Sequence, residues 1–428
     1  MGRPKKNPAL AASKNHPIIG NKYILPDTNP LWATILKRIQ KTARVYGFSR
    51  VELPIVEDPK VYERFGSVIP AVSNAAVTLS LAEDTTVQLR SSLLPSVLHA
   101  YASSKLYDEP RVYKWLYMGN VMQAIPGGVE SRFQFGFEVF GTFSHLAEAQ
   151  VMGAVWHLLN SLGLEEVSLE INMIGEEDCQ KTYQGILADY LKTKKFSLCD
   201  NCNEEIGTRP FNVLRCTNED CIEVVAEAST ILDYLDQNTH KHFTNVLEAL
   251  DELQVPYQLN PYYVGSEGAS KTNFVVKYKK GETMVVVGEG AYHDAVLAQF
   301  ANKSASSFGF CANLETLYEA MEASNIEIIQ EYSTEVFLVP LGELAAKKSL
   351  RLFQDLLTAH VSVYDHFGDA GVKNQLKQAE SYKAPIALIM GQKEAMDEMV
   401  ILRDVKSGMQ EVFSYDKIVI EVKKRLGK

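Results

Sequence analysis

Four of the six cysteines lie close together in the sequence, at Cys199, Cys202, Cys216 and Cys221. The first two form a Cys-x-x-Cys pair, thirteen residues follow, and the second pair has the wider spacing Cys-x4-Cys. Thiolates bind Zn²⁺ tetrahedrally, and a Cys-x-x-Cys pair supplies two ligands from one turn. Because four thiolates leave no open coordination position, the spacing predicts a structural zinc site without a catalytic role. The alternative is a group of four thiols that holds no metal.

A second pair of chemically interesting residues is Gln134 and Glu138, which stand four apart in a predicted strand and therefore share one face. An amide beside a carboxylate can hold a cationic amine and a polar ring nitrogen. From spacing alone, however, a solvated strand edge is the favoured interpretation. The glycine-rich stretches at 265–268 and 288–291 lack the spacing of a phosphate loop and are interpreted as turns. Spacing alone therefore names no reaction.

The elements that must position these residues are predicted from hydrophobic periodicity. Apolar residues at helical spacing predict helices over 30–46 and 145–162. Alternating residues predict two antiparallel strands at 111–119 and 134–141, with an extended, turn-rich loop at 123–131 between them. The polar pair would thus lie on the second strand of a hairpin.

A new pattern begins near Ser333. Short strands of the buried type, at 335–340 and 386–390, alternate with helices at 345–357 and 373–383. Strands and helices in alternation with short links predict a small α/β domain at the C-terminal end. From Ser333 to the last residue the chain carries 14 basic and 13 acidic residues, so this domain is nearly neutral.

Composition limits the classes of function. The 428 residues are 46% hydrophobic and carry a formal net charge of −10, which suits a folded protein and argues against a general nucleic-acid coat. Residues 1–22 hold five basic and no acidic side chains and predict a loose, basic tail. No apolar run approaches the roughly 20 residues that span a bilayer, and no leader is evident. We therefore expect a cytoplasmic protein with no membrane partner.

In this order, the segments resemble the histidyl-tRNA synthetase family, a class II aminoacyl-tRNA synthetase family, over nearly the whole chain past the tail. The resemblance rests on several separate stretches: 46–57 resembles the first class II motif, 111–141 the second, 308–317 the third, 199–221 the insertion of the family's cysteine-bearing members, and 335 to the end the anticodon-binding domain.

The resemblance implies an α+β fold with a class II antiparallel sheet flanked by helices. It divides the chain into a catalytic-like core at 23–175 and 257–328, an insertion with the cysteine cluster at 176–256, and a five-stranded anticodon-binding-like α/β domain at 333–428. The first-motif proline, here Pro54, implies a homodimer. The C-terminal domain implies tRNA as a partner.

The family joins histidine to its tRNA through histidyl-adenylate, with arginines and Mg²⁺ on the phosphates of ATP. Here four positions where the resemblance places family arginines read Gln123, Gly265, Ala291 and Thr316, and a family glutamate reads Ser92. Removing one donor to a transition state typically costs about 10²–10³ in rate. The departures predict that the ATP and Mg²⁺ clamp is lost. The retained family positions, which the resemblance assigns to substrate binding, are Arg90, Gln134, Glu138 and Tyr292.

Three hypotheses follow. The preferred one is a synthetase-like protein that no longer charges tRNA and is retained for binding tRNA, a protein partner or a small ligand. The second is a divergent but active histidine–tRNA ligase. The third is a synthetase-like regulatory subunit of histidine biosynthesis, which is disfavoured because that family lacks the anticodon-binding domain.

Overall fold

The structure is a computed structural model of the chain. It describes residues 24–25, 29–69, 72, 74–81, 85–266, 268–301, 304–324, 326, 334–365 and 371–428. The predicted tail at 1–22 lies outside the described residues. The chain divides into two compact units, Met1–Glu327 and Ile328–Lys428, and each is described by itself.

The first unit is built on one large sheet and one small sheet. Its strands are β1 (Ser49–Val51), β2 (Val56–Glu57), β3 (Val77–Ser80), β4 (Thr86–Leu89), β5 (Tyr113–Ile125), β6 (Gly128–Phe140), β7 (Val167–Met173), β8 (Gln258–Leu259), β9 (Ser270–Lys280), β10 (Thr283–Tyr292) and β11 (Ser307–Asn313). The eight-stranded sheet has the order β1-β5-β6-β11-β10-β9-β7-β8. Only its outermost pairs, β1 with β5 and β7 with β8, are parallel. The small sheet has the order β2-β4-β3 and is antiparallel. The predicted α+β class, with an antiparallel sheet, is confirmed.

Helices cover these sheets and fill the segment between β7 and β8. They are α1 (Asn29–Val45), α2 (Pro59–Gly66), α3 (Leu93–Ser103), α4 (His145–Ser161), α5 (Glu177–Thr193), α6 (Asp200–Glu205), α7 (Pro210–Val213), α8 (Glu219–Ala226), α9 (Gln237–Glu252), α10 (Asp294–Leu297) and α11 (Leu314–Ala323). The predicted stripe of α1 is buried, with Ile35 and Ile39 at 0% exposure. Burial of one stripe is what fixes an amphipathic helix to a sheet.

Two predicted loops are wrong. The extended loop at 123–131 does not exist, because β5 and β6 pair without a break from Tyr113↔Phe140 to Ile125↔Gly128. The turn needs only the two residues between the strands, and Gly127 supplies a φ of 84° that glycine adopts at little cost. The stretch 288–291 is also no turn, since it lies inside β10. A Cβ atom at Gly290 would lie 2.1 Å from the Phe274 ring, so packing explains these strand glycines.

The second unit is a single five-stranded sheet with helices, as predicted. Its strands are β12 (Val336–Pro340), β13 (Val363–Asp365), β14 (Ile386–Met390), β15 (Met399–Asp404) and β16 (Gln410–Ser414), in the order β13-β12-β14-β15-β16. Its helices are α12 (Glu343–Thr358), α13 (Val372–Ser381), α14 (Gln392–Asp397) and α15 (Tyr415–Leu426). In the part of the chain that the structure describes, no helix of either unit is long and apolar enough to cross a membrane.

Candidate functional site

A cavity of about 350 Å³ lies in the first unit, against the middle strands of the large sheet. Strands β6, β10 and β11 contribute side chains, and helix starts and the segment before β9 close the remaining walls. The cavity brings together residues that the sequence analysis had singled out from distant places: Ser92, Gln134, Gly265, Ala291 and Thr316. Three of the four positions where family arginines were expected therefore face one enclosed space.

The charge of this cavity is unusual for a nucleotide site. None of the lining residues that the structure describes is Lys or Arg, whereas Glu289 contributes a carboxylate. Two cations of the same unit, Arg132 and Lys271, are paired with carboxylates. Arg132 pairs with Glu130 at 2.7 Å, and the Nζ of Lys271 lies 2.6 Å from Asp294 Oδ2. The described wall therefore offers no lysine or arginine to the phosphates of ATP, and its one histidine, His293, faces Glu138 with its Nδ1. This donor set does not fit ATP–Mg²⁺.

Arg90, a predicted substrate-binding residue, does not line the cavity. Its Nε donates to Asn120 O at 2.6 Å, and its Nη1 donates to Leu53 O at 2.8 Å and Pro54 O at 3.1 Å. The side chain is buried, and burial lowers its pKa. Arg90 thus ties the first-motif segment to β5. Gln123 also lies off the cavity wall, where its Nε2 donates to Ser91 O at 2.9 Å.

Gln134 and Glu138 are buried, so the solvated-edge interpretation is wrong. The reason is topology, because β6 runs between β5 and β11. Gln134 lines the cavity, and its Oε1 accepts a bond from the Leu93 amide at 3.0 Å. Glu138 does not line it. Glu138 Oε1 lies 3.0 Å from His293 Nδ1 and also accepts a bond from the Ser307 hydroxyl. An ionised carboxylate in such a place needs these donors.

Tyr292 also points away from the cavity. Its hydroxyl donates to Glu148 Oε1 at 2.7 Å, and His242 Nε2 lies 2.5 Å from the same oxygen. Burial raises the Tyr292 pKa far above its usual value. Phe143 stacks on His242 with ring centroids 4.3 Å apart. Phe143 and His242 line a second cavity of about 400 Å³ between the sheet and α9. Tyr292 therefore holds helices α4 and α9 to the sheet.

The four clustered cysteines meet in space. Their Sγ atoms all lie within 4.8 Å of one another, and Cys199 and Cys216 are 3.9 Å apart. Tetrahedral zinc with Zn–S bonds of about 2.3 Å requires sulfur atoms about 3.8 Å apart. Backbone amides also face the sulfurs, with Cys199 N 3.2 Å from Cys221 Sγ. Amide donors of this kind support thiolate ligands. The donor set fits a structural zinc ion.

Several residues of this site were missed by sequence reasoning. His293 and Ser307 hold Glu138, Glu289 gives the cavity its charge, and Arg215 contacts the cavity wall. No local pattern marks any of them. Gly309 was the one available signal, because it lies opposite Glu138 and leaves room for its carboxylate, but that requires knowing the pairing of β6 with β11.

The fold and its order of motifs define a class II synthetase-type core followed by an anticodon-binding-type domain. The family model described as "Histidyl-tRNA synthetase" matches residues 20–317, and the model described as "Anticodon binding domain" matches residues 335–425. The chain belongs to the histidyl-tRNA synthetase family.

Similar proteins carry this family's names. The histidine–tRNA ligase of Natranaerobius thermophilus is 28% identical over 397 residues, which cover 91% of this chain and 94% of the relative. That of Dehalococcoides mccartyi is 26% identical over 412 residues, covering 95% and 99%.

Solved structures share the fold. Apo histidyl-tRNA synthetase of S. aureus has a TM-score of 0.78 at 22% identity, covering 95% of this chain and 98% of that one. A protein of Bacillus halodurans titled an ATP phosphoribosyltransferase regulatory subunit/histidyl-tRNA synthetase has a TM-score of 0.65 at 18% identity, covering 88% and 98%. At these identities the likeness concerns the fold alone.

Proposed function

We propose that this protein is a histidyl-tRNA synthetase-like protein in which formation of histidyl-adenylate is lost or much reduced, while tRNA binding is retained. The observation that carries the first half is a cavity whose described lining contains neither lysine nor arginine. Gly265, Ala291 and Thr316, three of the four expected arginine positions, face it, and Glu289 adds a carboxylate.

The size of the effect follows from transition-state stabilisation. Each missing donor is worth about 10²–10³ in rate, or roughly 3–4 kcal/mol. Losses of groups that act together do not add fully. Even so, losing several of them brings adenylate formation close to background. A carboxylate on the wall further disfavours a triphosphate, since like charges repel strongly in a partly enclosed site.

Calorimetric titration with ATP–Mg²⁺ tests this half of the proposal. We expect no saturable binding by the purified full chain up to millimolar ATP. Thr316→Arg and Ala291→Arg, made together, should add detectable affinity because they place cations on the cavity wall. Thr193→Arg, on an exposed helix position of α5, is the matched control and should add none. Micromolar ATP affinity of the unmodified protein would contradict the proposal.

Retention of tRNA binding is supported by the surface of the C-terminal unit. Tyr364 on edge strand β13 and Tyr382 at the end of α13 are 36% and 43% exposed, and their ring centroids are 4.2 Å apart. Unstacked RNA bases commonly stack on such exposed aromatic rings.

Lysines on α13 and directly after it support this interpretation. Lys373, Lys377 and Lys383 are exposed, and none forms an ion pair with a carboxylate of a described residue. By contrast, Lys347 and Lys348 on α12 pair with Glu343 and Glu398. Unpaired lysines beside an aromatic pair suit a phosphate backbone with splayed bases.

A gel-shift assay with histidine tRNA tests whether the protein binds tRNA. We expect a shift at about 50 mM salt that weakens strongly by about 200 mM, because phosphate contacts release counterions. Absence of any salt-sensitive shift would remove tRNA from the proposal.

The second candidate is an active, divergent histidine–tRNA ligase. It is favoured by the curated relatives of that name, which match at 26–28% identity over nearly the whole chain. A regulatory subunit of histidine biosynthesis is less well supported, because the anticodon-binding match at 335–425 has no part in that function.

We also propose a homodimer and a cytoplasmic location. Ile55 and Val56, in the segment that resembles the first class II motif, and Leu79 on strand β3 of the small sheet are 40–51% exposed. Exposed apolar residues grouped on a small sheet suit a contact between two copies.

A further inference from the structure

We propose that the four cysteines hold one Zn²⁺ and that this zinc knuckle, residues 199–221, fixes the described residues of the segment 262–269 through Arg215. Three residues of that segment, Tyr263, Gly265 and Ser266, line the cavity. The inference goes beyond the proposed function, since it does not depend on which ligand the cavity takes. Under this proposal, the rigidity of the cavity wall depends on a metal ion that is bound outside the cavity.

The helices that carry the cysteines are short, so a metal ion would add substantially to their stability. The knuckle's helices α6, α7 and α8 have six, four and eight residues, and helices this short are unstable in isolation. Cys202 and Cys221 are buried inside the insertion, and Cys199 and Cys216 are partly buried. One ion bound to all four sulfurs would join the start of α6 to the turn before α8 and close this small structure.

Arg215 connects the knuckle to the cavity wall. It directly precedes Cys216, so zinc on that sulfur would fix its backbone. Its Nε and Nη2 donate to Gly265 O at 2.9 and 2.6 Å, and its Nη1 donates to Asn212 Oδ1 at 2.7 Å. A guanidinium that makes several bonds from a rigid fork positions its partner more firmly than a single donor.

The segment that Arg215 holds has little structure of its own. It lies between β8 and β9, and Gly265 and Gly268 have φ values of 61° and 79°. Gly265 and Ser266 line the cavity. A second attachment to the insertion is the Tyr262 hydroxyl, which donates to Ala226 O at 3.0 Å. The large sheet holds the segment as well, because Asn172 Nδ2 of β7 donates to Tyr263 O at 2.8 Å.

Buried packing also connects the cysteine cluster to the cavity wall. Val264 and Ala269 belong to the buried cluster that contains Cys202 and Cys221, and so does Ala291 of the cavity wall. The cysteine cluster and one side of the cavity therefore share a single core. A change in the knuckle is transmitted to the wall through contacts that already exist.

Hydrogen–deuterium exchange of the full chain tests the coupling directly. The purified protein should contain about one equivalent of zinc. Removing it with EDTA should speed exchange in peptides covering 262–269 by at least about tenfold, the change expected from losing a hydrogen bond to a charged group. Adding zinc back should reverse the change.

Arg215→Gln separates the arginine from the metal. This variant should keep its zinc and still show faster exchange at 262–269. Lys192→Gln, in the same insertion and paired with Asp189, is the matched control and should leave both zinc content and exchange unchanged. Less than half an equivalent of zinc would overturn the metal site. Unchanged exchange at 262–269, either after zinc removal or in Arg215→Gln, would overturn the coupling.

Discussion

Gly309 of β11 lies directly opposite Glu138 of β6, and a Cβ atom at Gly309 would be 1.9 Å from Glu138 Oε2. The missing side chain at Gly309 is what allows a fully buried carboxylate to lie across the sheet toward His293 and Ser307. One backbone position therefore maintains the polar network behind the cavity.

Gly309→Ala should destabilise the protein, because the methyl group would displace the Glu138 carboxylate from its donors. We expect a loss of about 1–3 kcal/mol in the free energy of unfolding, the usual range for overpacking a core. Urea unfolding measures it. Gly185→Ala, in α5 with no atom within 4 Å of the added Cβ, is the control and should be neutral or slightly stabilising. Equal stability of the Gly309→Ala and unmodified proteins would refute the packing argument.

Arg90→Lys should weaken folding although it keeps the charge. Lysine cannot reach the three carbonyl oxygens that the guanidinium spans, and a hydrogen bond to a charged group is worth about 1.5–3 kcal/mol. We therefore expect about 3 kcal/mol less free energy of unfolding. Arg64→Lys, exposed on α2, should change little. If Arg90→Lys folded normally but lost affinity for a cavity ligand, the substrate-binding prediction would be preferred over a structural clamp.

Replacing Tyr364 and Tyr382 together by Ala should weaken tRNA binding. Each stacked base contributes about 1–3 kcal/mol, so we expect at least a five- to tenfold rise in the dissociation constant. The double Tyr→Phe variant keeps both rings and should bind almost normally. Tyr234→Ala, at an exposed tyrosine of the insertion, controls for nonspecific loss. Normal binding by the double alanine variant would exclude this surface while leaving tRNA binding itself intact.

The unmodified protein should elute as a dimer of the 47.8-kDa chain in size-exclusion chromatography with light scattering. Val56→Lys would place a charge among the exposed apolar residues of the small sheet and should shift the protein toward monomer. Val412→Lys, on β16 of the other unit and somewhat more exposed than Val56, should not. A monomeric mass for the unmodified protein at micromolar concentration would rule out the dimer.

The sequence predicted the elements whose periodicity is strong. Helix α1, helix α4 and strand β14 lie within a few residues of their predicted bounds, because their apolar spacing reports burial directly. Prediction from the sequence failed where strand pairing determines which residues are buried. Nothing local distinguishes β6 as an interior strand, which is why Glu138 was interpreted as solvated. The length of the loop at 123–131 was overestimated because a two-residue turn and a long loop have similar composition.

For the candidate site too, local patterns were informative, and contacts between distant segments were missed. The cysteine spacing correctly indicated that four sulfurs would meet, since short segments constrain them. The resemblance brought Gly265, Ala291 and Thr316 to notice, and the structure places them around one cavity. Arg215 and Glu289 could not be found this way, because their roles depend on contacts between segments far apart in the chain.

Histidine-dependent exchange of pyrophosphate into ATP tests the central claim most directly, because it reports adenylate formation without requiring tRNA. The pure protein should show exchange no greater than the same reaction without histidine, because the described residues of the cavity wall include no lysine or arginine. Clear, histidine-dependent exchange by homogeneous protein would contradict the account and establish an active ligase instead.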